Sequence, residues 1–215
     1  MNTESKLRER VVKIGDSLYN RGLSPGSSGN ISVRLEDGWL LTPTNSCLGE
    51  LDPGTLSKLD WNGNLLSGAK PSKEYFLHLA MYQKRPQSGA IVHLHSSFAA
   101  AISCLDGLDP ASCIPPLTPY FVMRVGKLPL IRYFRPGDKA LANEIANHAA
   151  KHAALLLANH GPVVSGKDLD SAMYATEELE ETSKLMLLLR GQGIRTPDNT
   201  QIQELRETFG AEWES

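Results

Sequence analysis

The strongest constraint on this chain is its alternation of turn-bounded apolar runs with longer helical ones. Residues 31–35 and 39–42 flank Glu36-Asp37-Gly38, and residues 56–61 and 65–66 flank Asn62-Gly63. Turns of this composition join antiparallel strands. Helical spacing governs other stretches: Leu7, Val11, Ile14 and Leu18 mark one face of a helix over 3–21, with Gly22 as its stop. Further helices are expected from Pro71-Ser72 to about Lys84, with Ser72 as N-cap, and over 97–104, 137–151 and 168–190. Strands are expected at 90–95, 128–133, 154–158 and 162–165, and the proline-rich stretch 109–127 is expected to lack regular structure. Hairpins mixed with helices predict an α/β or α+β layered domain with a largely antiparallel sheet. The 215 residues suggest a single domain. The last ~25 residues read as a loop and a short helix, packed on the outside or on a neighbour.

Within this frame one strand carries chemistry. In Ala90-Ile-Val-His93-Leu-His95, alternation puts both imidazoles on one face of a strand. Two neutral imidazoles on one face can grip a divalent metal. A single histidine at a strand end is more often packed or hydrogen-bonded, but a second buried run, 155–158, also ends in a histidine, His160. Three histidines leave a tetrahedral ion one open position, the pattern of a catalytic site.

Three polar loops offer donors to an anion: Ser27-Ser28-Gly29-Asn30, Thr42-Pro43-Thr44-Asn45 and Pro71-Ser72-Lys73. The third adds a helix start and a cation, as a phosphate monoester requires. Each loop alone also reads as an ordinary turn. Glu74 follows in the expected first turn, where the helix dipole favours a carboxylate; it is also a candidate acid/base or labile fourth metal ligand. His78, one turn on, reads as structural or as supporting the site. His148 and His152 read as solvent-exposed.

Composition excludes other classes. A formal net charge of −2 with 21% charged residues gives no support for nucleic acid or an anionic membrane as partner. No apolar run approaches the ~20 residues that cross a bilayer. The first residues read as a charged helix rather than a signal peptide, so a cytoplasmic location is expected. Cys47, Cys104 and Cys113 are odd in number and lack metal-type spacing, so they read as free thiols acting as small hydrophobes. Dinucleotide and P-loop glycine patterns are absent.

Taken in order, Ser28-Gly29-Asn30-Ile-Ser-Val-Arg34, Leu-Leu-Thr42-Pro43-Thr44, Pro71-Ser72-Lys73-Glu74, Val-His93-Leu-His95-Ser and Asn159-His160-Gly161 resemble the class II aldolase/adducin family. The resemblance runs from the first helix to about Arg190. It implies a three-layer αβα sandwich around a mainly antiparallel sheet, and a homotetramer with active sites between subunits. It implies that His93, His95 and His160 bind zinc, with manganese or cobalt as alternatives, and that Glu74 is the acid/base carboxylate. Asn30, Thr44 and Ser72 match phosphate-binding residues, and Gly29, Asn45 and Lys73 join them in the same loops. Tyr120 falls near a tyrosine that donates a proton in the family's aldolases; it also reads as a packing residue. Two departures stand out. The aldolases carry glycine where Asn45 stands, and a second serine where Lys73 stands. The epimerases of the family tend to carry Asp in place of Glu74.

Within the family, residues 68–95 and the stretch from Cys113 to Tyr120 look most like the 3-oxo-tetronate 4-phosphate decarboxylases. The expected chemistry is loss of CO2 from a phosphorylated sugar acid through a metal-stabilised enediolate, giving dihydroxyacetone phosphate. Lys73 or Arg124 is the candidate cation for the departing carboxylate. A fuculose- or rhamnulose-phosphate type aldolase shares the enediolate and is the first alternative. A non-catalytic adducin-like module is the second, and would be expected to lose the metal histidines.

Overall fold

A computed structural model describes residues 3–213. The expected helical start and the end of the tail are therefore described only from Thr3 and up to Trp213. The elements run α1 (Thr3–Asn20), β1 (Asn30–Arg34), β2 (Trp39–Leu41), a 3-10 turn (Leu48–Glu50), β3 (Ser57–Leu59), β4 (Leu65–Ser67), α2 (Tyr75–Lys84), β5 (Ala90–His93), α3 (Ser97–Ser103), α4 (Pro119–Arg124), β6 (Leu130–Ile131), α5 (Ala140–Ala149), β7 (Ala154–Leu157), β8 (Gly161–Gly166), α6 (Leu169–Leu188) and α7 (Asn199–Phe209). One eight-stranded sheet has the order β4-β3-β2-β1-β5-β8-β7-β6. Among the described residues only the β6–β7 pair is parallel; β1–β2, β1–β5, β2–β3, β3–β4, β5–β8 and β7–β8 are antiparallel.

Period-2 alternation sorts the sheet residues between two helical layers. Ile91, Leu155, Leu157 and Val163 pack toward α2 and α5. On the other face, Ile31, Val33, Ala90 and Val92 meet α1 and the start of α6, while Ala154, Leu156 and Val164 meet α3, α4, α6 and α7. Both faces are covered, which makes the αβα sandwich, and the expected fold class stands.

Several boundaries differ from expectation. The stretch 109–127 is not without regular structure: Thr118 caps α4, its Oγ1 accepting from the Phe121 N–H at 3.1 Å, and Pro119 occupies the first helical position. Proline fits there because its missing N–H has no partner in a first turn. Helix α2 begins at Tyr75 rather than at Ser72, with Glu74 in the N-cap position. Strand β5 ends at His93, two residues short of the expected end. His148 and His152 are half-buried rather than exposed. Cys113 is buried, and burial pushes its thiol up to about 12, but Cys104 is exposed and Cys47 half-buried, so only one of the three acts as a core hydrophobe. Trp213 packs within its own chain, 8% exposed, against Phe121. No helix among the described residues is long and apolar enough to cross a membrane.

Candidate active site

The start of β1, the end of β5, the β7–β8 turn and the start of α2 meet at a single point. His93 is the last residue of β5, paired with Asn30 on one side and Val163 on the other. Leu94 continues the ladder by one bond, its N–H donating to the Pro162 carbonyl at 3.3 Å. His95 follows beyond the strand, yet its ring returns to His93, with centroids 5.0 Å apart. His160 lies in the tight β7–β8 turn. That turn is closed by its own N–H donating to Leu157 O at 3.1 Å, and Asn159 takes the left-handed conformation at φ 55°. Asparagine tolerates this region better than most residues. The Ser103 Oγ, 3.2 Å away, also accepts from the His160 N–H and ties the turn to α3.

The ring nitrogens converge. Nε2 of His95 stands 3.2 Å from Nε2 of His93 and 2.9 Å from Nε2 of His160. Glu74 closes the group, with Oε2 3.4 Å from His93 Nε2 and Oε1 3.3 Å from His160 Nε2. One ligand atom from each of the four side chains lies within 4.8 Å of the others. A tetrahedral ion with bonds of about 2.0–2.1 Å sets its ligands about 3.3 Å apart, so this donor set fits a divalent cation. His93 Nδ1 donates to the Pro162 carbonyl at 2.8 Å, which leaves its Nε2 lone pair for the cluster. A backbone acceptor of this kind is the usual orienting partner of a metal-binding imidazole.

The electrostatics of the ion-free cluster agree. Burial disfavours a proton on His93, but the Glu74 carboxylate beside it and the Pro162 carbonyl outweigh that and raise it above the ordinary histidine value. Burial lowers His95 and His160 to about 4, helped by the neighbouring His93 charge. For Glu74, burial alone would favour the neutral acid. The His93 charge and hydrogen bond, with His160 and Asn30, outweigh it and hold the carboxyl well below the usual carboxylate range. His95 and His160 are thus neutral and ready as ligands near pH 7, and Glu74 favours its ionised, metal-binding form.

A cavity of about 520 Å³ opens on this cluster. Its wall includes all six residues expected to hold a phosphate, Gly29, Asn30, Thr44, Asn45, Ser72 and Lys73, together with Glu74, His95 and His160. His93 lies behind the wall, fully buried. A bridge between Pro43 and Pro71 and the Thr44 N–H on Lys70 O at 3.0 Å draw the second and third loops together. Gly29 needs its missing side chain: φ is +78°, and a Cβ would stand 3.1 Å from the His93 carbonyl. Asn45 is also left-handed, at φ 57°, a conformation that glycine and asparagine adopt more readily than other residues, and it adds an amide to the wall. Glu74 is not held as a first-turn dipole partner. Its backbone N–H is 3.3 Å from the Ser72 Oγ, and its carboxylate accepts from Asn30 Nδ2 at 2.9 Å.

Tyr120 does not line this cavity of its own chain; it lies on α4, 57% exposed, with the Arg124 guanidinium 5.5 Å from its ring centre. The reason is amphipathic packing: Phe121 and Val122 take the buried face of α4, which turns Tyr120 outward. Arg124 lines a different cavity with Ala153 and Gly166, at the far end of β7 and β8 from His160. Of the two candidate cations, only Lys73 reaches the site within one chain. Missed from the sequence were Tyr133, Phe134, Pro136 and Gly137, which also line the cavity. Their signal was the Pro136-Gly137 break in the loop between β6 and α5, a common place for binding groups. Glu180 was missed too. It is a buried carboxylate from α6 that accepts from Ser96 Oγ at 2.7 Å and from the N–H groups of Phe98 and Ala99 at 2.9 and 2.8 Å. It thereby caps α3 immediately after His95.

Comparison with known proteins places this architecture. The chain is 53% identical over 204 residues to the 3-oxo-tetronate 4-phosphate decarboxylase of Haemophilus influenzae, which covers 94% of this chain and 97% of that protein. It is 38% identical over 181 residues to the L-fuculose phosphate aldolase of Methanocaldococcus jannaschii, covering 84% and 96%. The solved structure of YgbL from Klebsiella pneumoniae superposes with a TM-score of 0.93 at 50% identity, covering 96% of this chain and all of that one. The family model described as the class II aldolase and adducin N-terminal domain matches residues 9–187. The chain therefore belongs to the class II aldolase and adducin N-terminal domain family.

Proposed function

We propose that this protein is a metal-dependent carboxy-lyase that converts 3-oxo-tetronate 4-phosphate to dihydroxyacetone phosphate and CO2. The observation that carries the reading is the 53% identity to a decarboxylase of that name over nearly the whole of both chains. A four-donor cluster opening on a cavity walled by hydroxyls, amides and a lysine supports it. The intact cluster argues against a non-catalytic module. The aldolase alternative rests on the lower, 38% likeness.

In this reading His93, His95 and His160 hold one divalent cation, with Glu74 as a fourth, displaceable ligand. Zinc is the proposed ion, and manganese and cobalt suit the same donors. When bound, the cation supplies Lewis-acid stabilisation of negative charge on the substrate's C3 oxygen. The residues of the chain do the rest. Asn30, Thr44, Asn45 and Ser72, with the backbone at Gly29, receive the phosphate, and Lys73 adds positive charge at the rim. The fixed phosphate sets the C1–C2 bond near Glu74. As that bond breaks, CO2 departs and the electron pair left on C2 delocalises toward the C3 oxygen. Glu74, ionised at rest, takes a proton from solvent and passes it to C2; this proton replaces the lost CO2, completes dihydroxyacetone phosphate and balances the reaction. Tyr120, turned away from its own chain's site, is proposed to serve a neighbouring copy in a homotetramer with shared sites. The 215 residues are proposed to act as one cytoplasmic domain.

The test is an assay on metal-replete protein, with 3-oxo-tetronate 4-phosphate generated in situ and both products followed. Equimolar CO2 and dihydroxyacetone phosphate, abolished by a chelator, is the expected result. Absence of CO2 with cleavage of fuculose or rhamnulose phosphate would overturn it in favour of the aldolase.

A further inference from the structure

Behind Glu74 runs a line of buried polar side chains that starts at Asn30 and continues through three residues the proposed reaction does not itself use. Asn30 Nδ2 donates to Glu74 Oε2 at 2.9 Å and lies 3.2 Å from Ser72 Oγ. Asn30 Oδ1 meets His78 Nε2. His78 Nδ1 is 2.8 Å from Ser32 Oγ, and Ser32 Oγ is 2.9 Å from the Tyr82 hydroxyl. All four supporting residues are shut off from solvent: Ser32 and His78 at 0%, Tyr82 at 2%, Asn30 at 3% exposure. Such groups survive inside a protein only when every donor meets an acceptor.

Their proton arrangement follows from chemistry. An ionised carboxylate only accepts, so Asn30 must turn its NH2 toward Glu74 and its carbonyl oxygen toward His78. That oxygen also only accepts, so His78 must carry its proton on Nε2. Nδ1 is then bare and must accept from the Ser32 hydroxyl, whose oxygen in turn accepts from Tyr82. The network has one self-consistent state, with every donor pointing along the line toward Glu74. Burial supports the neutral forms at both inner positions: it lowers His78 to about 3 and pushes the Tyr82 phenol well above its ordinary value.

We propose that His78 is a positioning residue: in its Nε2–H tautomer, set by Ser32 and Tyr82, it locks the Asn30 amide in the one orientation that holds Glu74 and Ser72 for the reaction. Without that lock the Asn30 amide can flip and present its carbonyl to a carboxylate, which repels it. The proposal rests on the reading of Glu74 as the proton-handling group, but its structural half does not.

Two readouts test it. Nitrogen-15 histidine NMR on the full chain should find His78 neutral with the proton on Nε2. An Nδ1–H tautomer, or an imidazolium at neutral pH, would overturn the proposal whatever the enzyme turns over. Ser32→Ala, which touches neither substrate nor metal, should shift His78 toward the Nδ1–H form. It should also lower kcat on 3-oxo-tetronate 4-phosphate by about 10–100-fold, the usual size of such supporting effects, with metal content little changed. His78→Gln, which keeps an N–H donor near the Nε2 position, should recover most of the kcat that His78→Leu loses. Equal losses in the two His78 variants, or an unaltered kcat in Ser32→Ala, would reduce the line to core packing. A wild-type protein inactive on this substrate but with the expected tautomer would fault the assigned reaction and leave the tautomer lock standing.

Discussion

Gly161 and Leu94 stand too close for any side chain between them: a Cβ on Gly161 would lie 2.2 Å from the Leu94 carbonyl oxygen. Leu94 separates His93 from His95, and Gly161 follows His160, so this contact sets how near the third histidine comes to the other two. Gly161→Ala is expected to push the β7–β8 turn away from the β5 exit. Overpacking of this kind costs about 1–3 kcal/mol, and the displaced imidazole should lower bound metal well below one ion per chain. Urea unfolding and elemental analysis check both. Full metal occupancy with an unchanged midpoint would show that the contact relaxes without moving His160.

Glu180 supports the same corner from beneath. Its two oxygens receive three donors at the start of α3, close to where a helix dipole also favours negative charge. Glu180→Gln keeps the shape but offers only one accepting oxygen, and turns an amide N–H toward a donor. The expected loss is about 1.5–3 kcal/mol, the range for hydrogen bonds to a charged group, measured by denaturant unfolding. Metal content in the folded variant should stay near wild type, because Glu180 touches no histidine of the cluster.

What the sequence made legible follows from which signals are local. The hairpin at Asp37-Gly38 and the α1 stripe of Leu7, Val11, Ile14 and Leu18 depend on neighbours in the chain, and both stand in the structure. The cluster of His93, His95 and His160 with Glu74 was reached through motif order, because the sheet order β1-β5-β8 that brings them together is a long-range property. Asn30 and Ser32 show what alternation hides. They occupy the polar positions of a half-polar strand, yet they face α2, where His78 and Tyr82 supply partners. The orientation of Tyr120 was hidden for a related reason: its prolines obscured a capped helix, and the burial of Phe121 and Val122 decides which way the tyrosine points.

His78 gives stability a pH dependence with a definite sign. Buried and neutral, it is lowered to about 3 in the folded protein, whereas an unfolded chain binds the same proton near 6.5. Below pH 6.5 the unfolded state therefore takes up a proton that the folded state refuses, and stability falls by about 1.4 kcal/mol per pH unit until the folded value is reached. Above pH 6.5 this group contributes no slope. His78→Gln should flatten the unfolding free energy between about pH 6 and pH 4 relative to wild type, measured on metal-free protein. Identical slopes in the two proteins would mean that His78 accepts its proton without unfolding.

Glu74→Gln separates holding the metal from handling the proton. Three imidazoles remain, and His93 keeps its Nδ1 bond to Pro162, so one divalent ion per chain should still bind. The amide retains an oxygen for Asn30 Nδ2 but has no proton to exchange, and kcat should fall on the order of 10²–10⁴-fold, the range for loss of a general acid/base. A second consequence is readable without turnover. The Glu74 charge is what raises His93 above its ordinary value against the pull of burial, so in metal-free Glu74→Gln the His93 titration should move to lower pH, followed by histidine NMR. A variant that turns over normally would remove Glu74 from the proton transfer, and an unmoved His93 would show that the carboxylate is not what raises it.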